Sequence, residues 1–66
     1  MTITLNGKSQ DLEKEMPVPQ FLETLKLGPQ PVLVELNGSA LLARELDQHS
    51  VGDGDIVEIV LMVAGG

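Results

Sequence analysis

Two Asn-Gly dipeptides constrain this chain more than any other feature of it. Asn6-Gly7 follows Thr2-Ile3-Thr4-Leu5, and Asn37-Gly38 follows the run Val32 to Leu36. A two-residue hairpin turn of type I′ needs positive φ at both central positions, which asparagine and glycine tolerate better than other residues. Each dipeptide therefore predicts a strand that doubles back. Thr2 to Leu5 alternates polar and apolar, as a half-buried strand does. Lys8 to Leu12 is its polar return, with Leu12 turned inward. Val32 to Leu36 is rich in β-branched residues and returns through Ser39 to Leu42.

Between the two hairpins the period changes. Val18, Phe21, Leu22 and Leu25 fall at i, i+3, i+4 and i+7, one face of a helix spanning Pro17 to Leu27. Pro19 suits the first turn, where its missing N–H is not needed. Pro17 occupies the place where a Ser, Thr or Asp cap is expected. Gly28-Pro29 predicts the stop, with Gly28 as left-handed cap. Arg44 to Ser50 reads as a polar connection with room for a single helical or 3-10 turn. Gly52-Asp53-Gly54-Asp55 is a turn cluster, and Ile56 to Val63 is the longest strand candidate.

The order is hairpin, helix, strand, short strand, long strand. A helix across one face of a mixed four- to five-stranded sheet, an α+β fold, buries these stripes economically. A crossover through the helix is expected to set Val32–Leu36 parallel to one of the first hairpin's strands. The expected core is Ile3, Leu5, Val18, Phe21, Leu22, Leu25, Val34, Leu36, Val57, Ile59 and Leu61.

Composition narrows the function. With 66 residues the chain has room for one domain, 1–66, and such a domain buries only about 60% of the surface its unfolded chain exposes. A deep substrate pocket is hard to build on that scale; a binding module or carrier is easier. The absence of cysteine excludes disulfides, thiolate metal sites and thiol nucleophiles, and suits a reducing cytoplasm. No basic segment followed by an apolar one opens the chain, so no signal peptide is expected. The run Ile56 to Ala64 contains Glu58 and is too short to span a bilayer, so no membrane role is expected. A net charge of −6 repels phosphate backbones, which argues against nucleic acid and suits both solubility and a basic patch on a protein partner. His49 has no cysteine or paired acid at ligand spacing. Asp53 and Asp55 lack the later ligands of a calcium loop and read as turn residues that cap strand entry. No metal site, phosphate-binding loop or Ser-His-Asp set emerges.

The whole ordered pattern resembles the ubiquitin-like β-grasp, and more narrowly the sulfur carrier family of thiamine biosynthesis, ThiS. The resemblance rests on Met1-Thr2-Ile3-Thr4-Leu5-Asn6-Gly7, the helix stripe, and Val34-Glu35-Leu36-Asn37-Gly38. It continues through Arg44 and Val51-Gly52-Asp53-Gly54-Asp55-Ile56-Val57-Glu58-Ile59-Val60 to Ala64-Gly65-Gly66. Pro17 and Ala43 depart from the family, which often has Thr and Pro there. The small subunit of molybdopterin synthase shares the fold and the Gly-Gly end but is usually longer. A ubiquitin-like interaction module with an inert tail is the alternative from another class.

The resemblance implies that the tail, residues 64–66, is flexible and that Gly66 carries the chemistry. Its carboxylate is adenylated by a partner similar to the ubiquitin-activating enzymes, then converted to a thiocarboxylate that donates sulfur to a thiazole synthase. Glycine at 65 and 66 lets the backbone pass a narrow channel, since neither residue has a Cβ. ATP belongs to the partner's reaction; the carrier brings no cofactor, metal or general base. It is expected to be a monomer when free.

A second expectation concerns the sheet face away from the helix. With Glu58 and Glu35 facing water, period 2 puts Val60, Met62 and Leu33 on the same side. If the two strands are neighbours, as the β-grasp resemblance implies, these three form a docking patch near the tail. The resemblance adds Arg44 to the docking set.

Overall fold

The computed structural model describes residues 1–62. The first hairpin is β1 (Thr2–Leu5) and β2 (Lys8–Asp11), joined through Asn6 (φ 49°) and Gly7 (φ 82°). The second is β4 (Val32–Leu36) and β5 (Ser39–Leu41), joined through Asn37 (φ 52°) and Gly38 (φ 87°). Both dipeptides thus make the left-handed turn their composition predicts.

Between them come a two-residue strand, β3 (Met16–Pro17), and the helix α1 (Val18–Leu25). The helix is shorter than the apolar pattern suggested. Lys26, at φ 52°, takes the left-handed cap and donates its N–H to the Glu23 carbonyl, so the stop falls two residues before Gly28. Gly28 is also left-handed, at φ 81°, and turns the chain after the cap. At the other end Pro17 supplies no side-chain cap. The Val18 N–H finds the His49 carbonyl instead, at 2.9 Å. A helix start without a capping side chain is satisfied here by tertiary structure.

After β5, a 3-10 helix runs over Ala43–Gln48. The Glu45 carboxylate reaches back to accept the Leu42 N–H at 2.8 Å. Then β6 (Ser50–Val51) pairs antiparallel with β3, Met16 opposite Val51. This two-stranded ladder clips the connection against the start of the helix. It has no periodicity to betray it, because two residues cannot show one.

The last strand, β7 (Ile56–Leu61), lies in the middle of a five-stranded mixed sheet of order β2-β1-β7-β4-β5. It runs parallel to β1, with Thr4 opposite Ile56, and antiparallel to β4, with Val34 opposite Ile59. The crossover expectation holds in direction, though not through a direct pairing. β4 has the direction of β2, but it pairs with neither hairpin strand; β1 and β7 stand between. The parallel partner of β1 is β7.

One core forms between the sheet and α1. Ile3, Leu12, Val18, Phe21, Val34, Leu41, Val51 and Val57 are buried, and Leu5, Met16, Leu22, Leu25, Val32, Leu36, Leu46 and Ile59 pack around them. Of the expected core only Leu61 fails, at 43% exposed. It points to the helix side of β7, but α1 ends too early to cover it. An open groove lined by Leu5, Leu25, Leu27, Ile59 and Leu61 remains there. Leu41 and Val51 enter the core from elements too short to be read as amphipathic.

Candidate functional site

The site is built around β7, because its C-terminal end leads to residues 63–66. Gly65 and Gly66, the expected reacting end, lie outside the described residues, as do Val63 and Ala64. What the structure does describe is how the strand that carries them is held.

At its entry, β7 is tied on both sides. The Gly54 N–H donates to the Thr2 carbonyl at 2.8 Å, and the Thr2 N–H donates to the Asp53 carboxylate at 2.8 Å. Asp55 accepts from the Gly52 N–H at 2.8 Å and from the Asn37 side-chain amide at 3.0 Å. The two aspartates therefore cap strand entry, as their place in the turn cluster suggested.

The two turn asparagines also fasten β7. On the β1 side, the Asn6 N–H donates to the Val57 carbonyl, and the Ile59 N–H donates to Asn6 Oδ1 at 2.8 Å. On the β4 side, the Asn37 N–H donates to the Ile56 carbonyl, and the Ile56 N–H donates to Asn37 Oδ1 at 2.8 Å. In an unbroken ladder the main-chain carbonyls of residues 6 and 37 would accept those N–H groups. The chain turns at both residues, and the side-chain oxygens supply the acceptors. Each Asn-Gly pair thus makes a turn and adds one rung to the central strand. A one-residue slip of β7 would exchange its faces and shift its end by about 3.3 Å; these side chains oppose it.

Asn37 allows that role to be measured. Asn37→Gly keeps the left-handed backbone but removes both side-chain bonds, each worth about 0.5–1.5 kcal/mol. Asn37→Ala removes the same bonds and adds about 1–2 kcal/mol of left-handed strain. Urea unfolding should rank the variants wild type, Gly, Ala in falling stability. A glycine variant as stable as wild type would show that the side-chain rungs carry no weight.

The outer face of the sheet, away from α1, is where the docking patch was expected. Leu33 and Val60 are direct cross-strand partners on neighbouring strands. They are 37% and 56% exposed, and Met62 is 52% exposed. The Met62 N–H donates to the Pro31 carbonyl at 2.9 Å, which carries the β4–β7 pairing past the end of the strand. Three of the four expected docking residues are therefore gathered at the end of β7. Arg44 is exposed and sits on the 3-10 helix, which packs against α1 and β3.

Sequence reasoning missed two contributors. Leu42 is 54% exposed and in extended backbone; continuing the β4–β5 register by one residue sets it opposite Leu33. Ile56, also exposed, shares the outer face with Glu58 and Val60. Strand alternation marks both positions, but only once the register across three strands is known. His49 is exposed, and its functional contact is through its main chain to the helix start. Among the described residues, no group of three or more His, Cys, Asp or Glu side chains could hold a metal ion, and no helix is long and apolar enough to cross a membrane.

Known proteins share this arrangement. The sequence model of the ThiS family matches residues 3–66, a span that includes Gly65 and Gly66. The sulfur carrier protein ThiS of Thermus thermophilus is 34% identical over 64 residues, covering 97% of this chain and 98% of the relative. The crystal structure of the thiamine biosynthesis protein ThiS from Geobacter metallireducens is 36% identical and superposes with a TM-score of 0.87 over all of both chains. A solution NMR structure of a thiamine biosynthesis protein from the same organism gives 0.82 at 36% identity, over 100% of this chain and 88% of that one. The five-stranded mixed sheet with one main helix is the ubiquitin-like β-grasp of these neighbours. Similarity of sequence from residue 3 to residue 66 and of fold over the whole length lead to one conclusion: this chain is a member of the ThiS family.

Proposed function

We propose that the protein is a sulfur carrier for thiazole formation in thiamine biosynthesis, working in the cytoplasm, with the terminal carboxylate of Gly66 as its reacting group. The observation that carries this reading is the family match running through residue 66, so that Gly65-Gly66 falls inside the shared pattern. The names of the relatives, a sulfur carrier and thiamine biosynthesis proteins, favour the thiamine pathway over molybdopterin synthesis.

The chemistry balances without any catalytic group from the carrier. A Gly66 carboxylate oxygen attacks the α-phosphorus of ATP bound to an adenylating enzyme, and pyrophosphate leaves. The product is an acyl-adenylate, a mixed anhydride with AMP as its leaving group. Hydrosulfide released by a sulfur donor adds to the carbonyl carbon. The C–O bond to AMP breaks, AMP departs with its electron pair, and loss of the proton leaves the terminal group a thiocarboxylate. That sulfur then passes to a thiazole synthase, and water restores the carboxylate. The carrier's own tasks are docking and presentation. The outer face with Leu33, Val60 and Met62 supports the first, and the pinned central strand supports the second.

Intact mass tests the proposal. The chain incubated with ATP, the adenylating enzyme and a sulfur source should gain the mass difference between sulfur and oxygen, localised to the C-terminal peptide. A modification mapped elsewhere, or an unchanged mass with an enzyme active on another carrier, would favour the inert interaction module.

A further inference from the structure

The outer face that carries the apolar patch also carries an arrangement that free folding disfavours. Glu35 on β4 and Glu58 on β7 are direct cross-strand partners, one register step of two residues from the Leu33–Val60 pair. Like charges directly opposite one another destabilise a sheet. Both strands are interior to the sheet, so neither carboxylate guards an edge against aggregation. Among the described residues, none that the strand register sets directly opposite them is a cation. Lys8, the one cation on a strand among the described residues, pairs with Leu5 on the opposite face. Ala40 stands beside Glu35 on the other flank and adds no charge.

We infer that the outer sheet face docks on a surface of the adenylating enzyme that presents an arginine or lysine among apolar side chains, with the cation seated between Glu35 and Glu58. The inference deepens the proposed function and rests on it. Charge complementarity chooses the occupant. The apolar half of the face, Leu33, Val60, Met62 and Leu42, supplies area that is favourable to bury. The paired carboxylates reject a purely apolar or acidic partner, because burying two unpaired charges is costly. They also reject a second copy of this chain: two-fold pairing across this face would bring four carboxylates together. A guanidinium, planar and able to bond both carboxylates, turns the repulsion into attraction. Glu35 and Glu58 are then specificity-determining residues. They select the partner, while the reacting end remains at Gly66.

The test uses the full chain and the purified adenylating enzyme of the same organism. Glu35→Gln, Glu58→Gln, the double variant and Val60→Asp are each titrated against the enzyme at low and high sodium chloride, and ATP–pyrophosphate exchange is measured with each. The double variant should bind at least about tenfold more weakly at low salt, the lower end of what close charge pairs at an interface contribute. Its affinity should depend less on salt than that of wild type. In exchange kinetics the loss should appear mainly in KM for the carrier, not in kcat. Its thermal midpoint should equal or exceed that of wild type, because the cross-strand repulsion is gone; this separates lost recognition from lost folding. Wild-type exchange together with equal affinity and equal salt dependence in the double variant overturns the inference and leaves the carrier function standing. If Val60→Asp then still weakens binding, the face docks through its apolar half alone. If wild type itself supports no exchange, the proposed function and this inference fall together.

Discussion

A chain extended by one residue beyond Gly66 should lose adenylation, and so should a chain that lacks Gly66. The loss should be at least about a hundredfold, because misplacing a reacting group by about 1 Å already has an effect of that size. One residue of extended chain moves the carboxylate by roughly 3.3–3.6 Å. Deletion pulls it back by as much. Neither change touches the buried core, whose members run from Ile3 to Val57, so both variants should fold like the parent. The measurement is ATP–pyrophosphate exchange with the adenylating enzyme, with each tail confirmed by mass. Gly65→Ala should be milder, since it keeps the carboxylate in register and adds one methyl group to the threaded segment. Normal exchange by the extended chain would show that the terminal carboxylate is not the reacting group. This experiment tests position, where the thiocarboxylate mass tests chemistry.

Phe21→Ala should remove most of the stability of the fold. Phe21 is fully buried and is the chain's one aromatic residue. It projects from the centre of α1 into the space between helix and sheet, among Ile3, Val18, Val34, Val51 and Val57. Replacing a buried phenylalanine by alanine costs about 3–5 kcal/mol. A domain of this length has a total of roughly 3–10 kcal/mol, at about 0.05–0.15 kcal/mol per residue. The variant should therefore be unfolded, or close to it, at room temperature by circular dichroism. Phe21→Leu retains most of the volume and should remain folded. Val60→Ala, on the exposed outer face, should change stability by less than about 0.5 kcal/mol. A Phe21→Ala protein that melts within a few degrees of wild type would mean that the core does not depend on its largest member.

The two outcomes depend on separate parts of the molecule. The core holds β7 in the centre of the sheet, and β7 sets where the tail begins. Asn6, Asn37, Asp53 and Asp55 reinforce that placement with side-chain bonds to main chain and to each other. Stability and presentation meet at this strand: a loosened β7 would misplace the proposed reacting end even if its chemistry were intact.

Local physics made much of this legible in the residues alone. The Asn-Gly turns, the apolar stripe of α1, the strands Val32–Leu36 and Ile56–Leu61 and the outward set of Leu33, Val60 and Met62 all follow from patterns that short segments express. A positive φ, a period of 3.6 and a period of 2 are properties of neighbouring residues. The family likeness was legible too, because the ordered motifs cover the chain. Other features depend on which distant segments meet. The β3–β6 ladder joins residues far apart in sequence, and neither piece is long enough to show a period. The capping of α1 by the His49 carbonyl could not be read because a main-chain acceptor leaves no mark on residue identity. Leu61 belongs to the inward-facing set by alternation, yet the early end of α1 leaves it uncovered. The pairing of Glu35 with Glu58 requires the register of β4 against β7, and register is decided by the packing of the whole inner face. Along the longer elements, sequence determined which residues face in and which face out; tertiary structure decided what each of them faces and which residues of the shortest elements join them, because only packing brings the separate periods into one alignment.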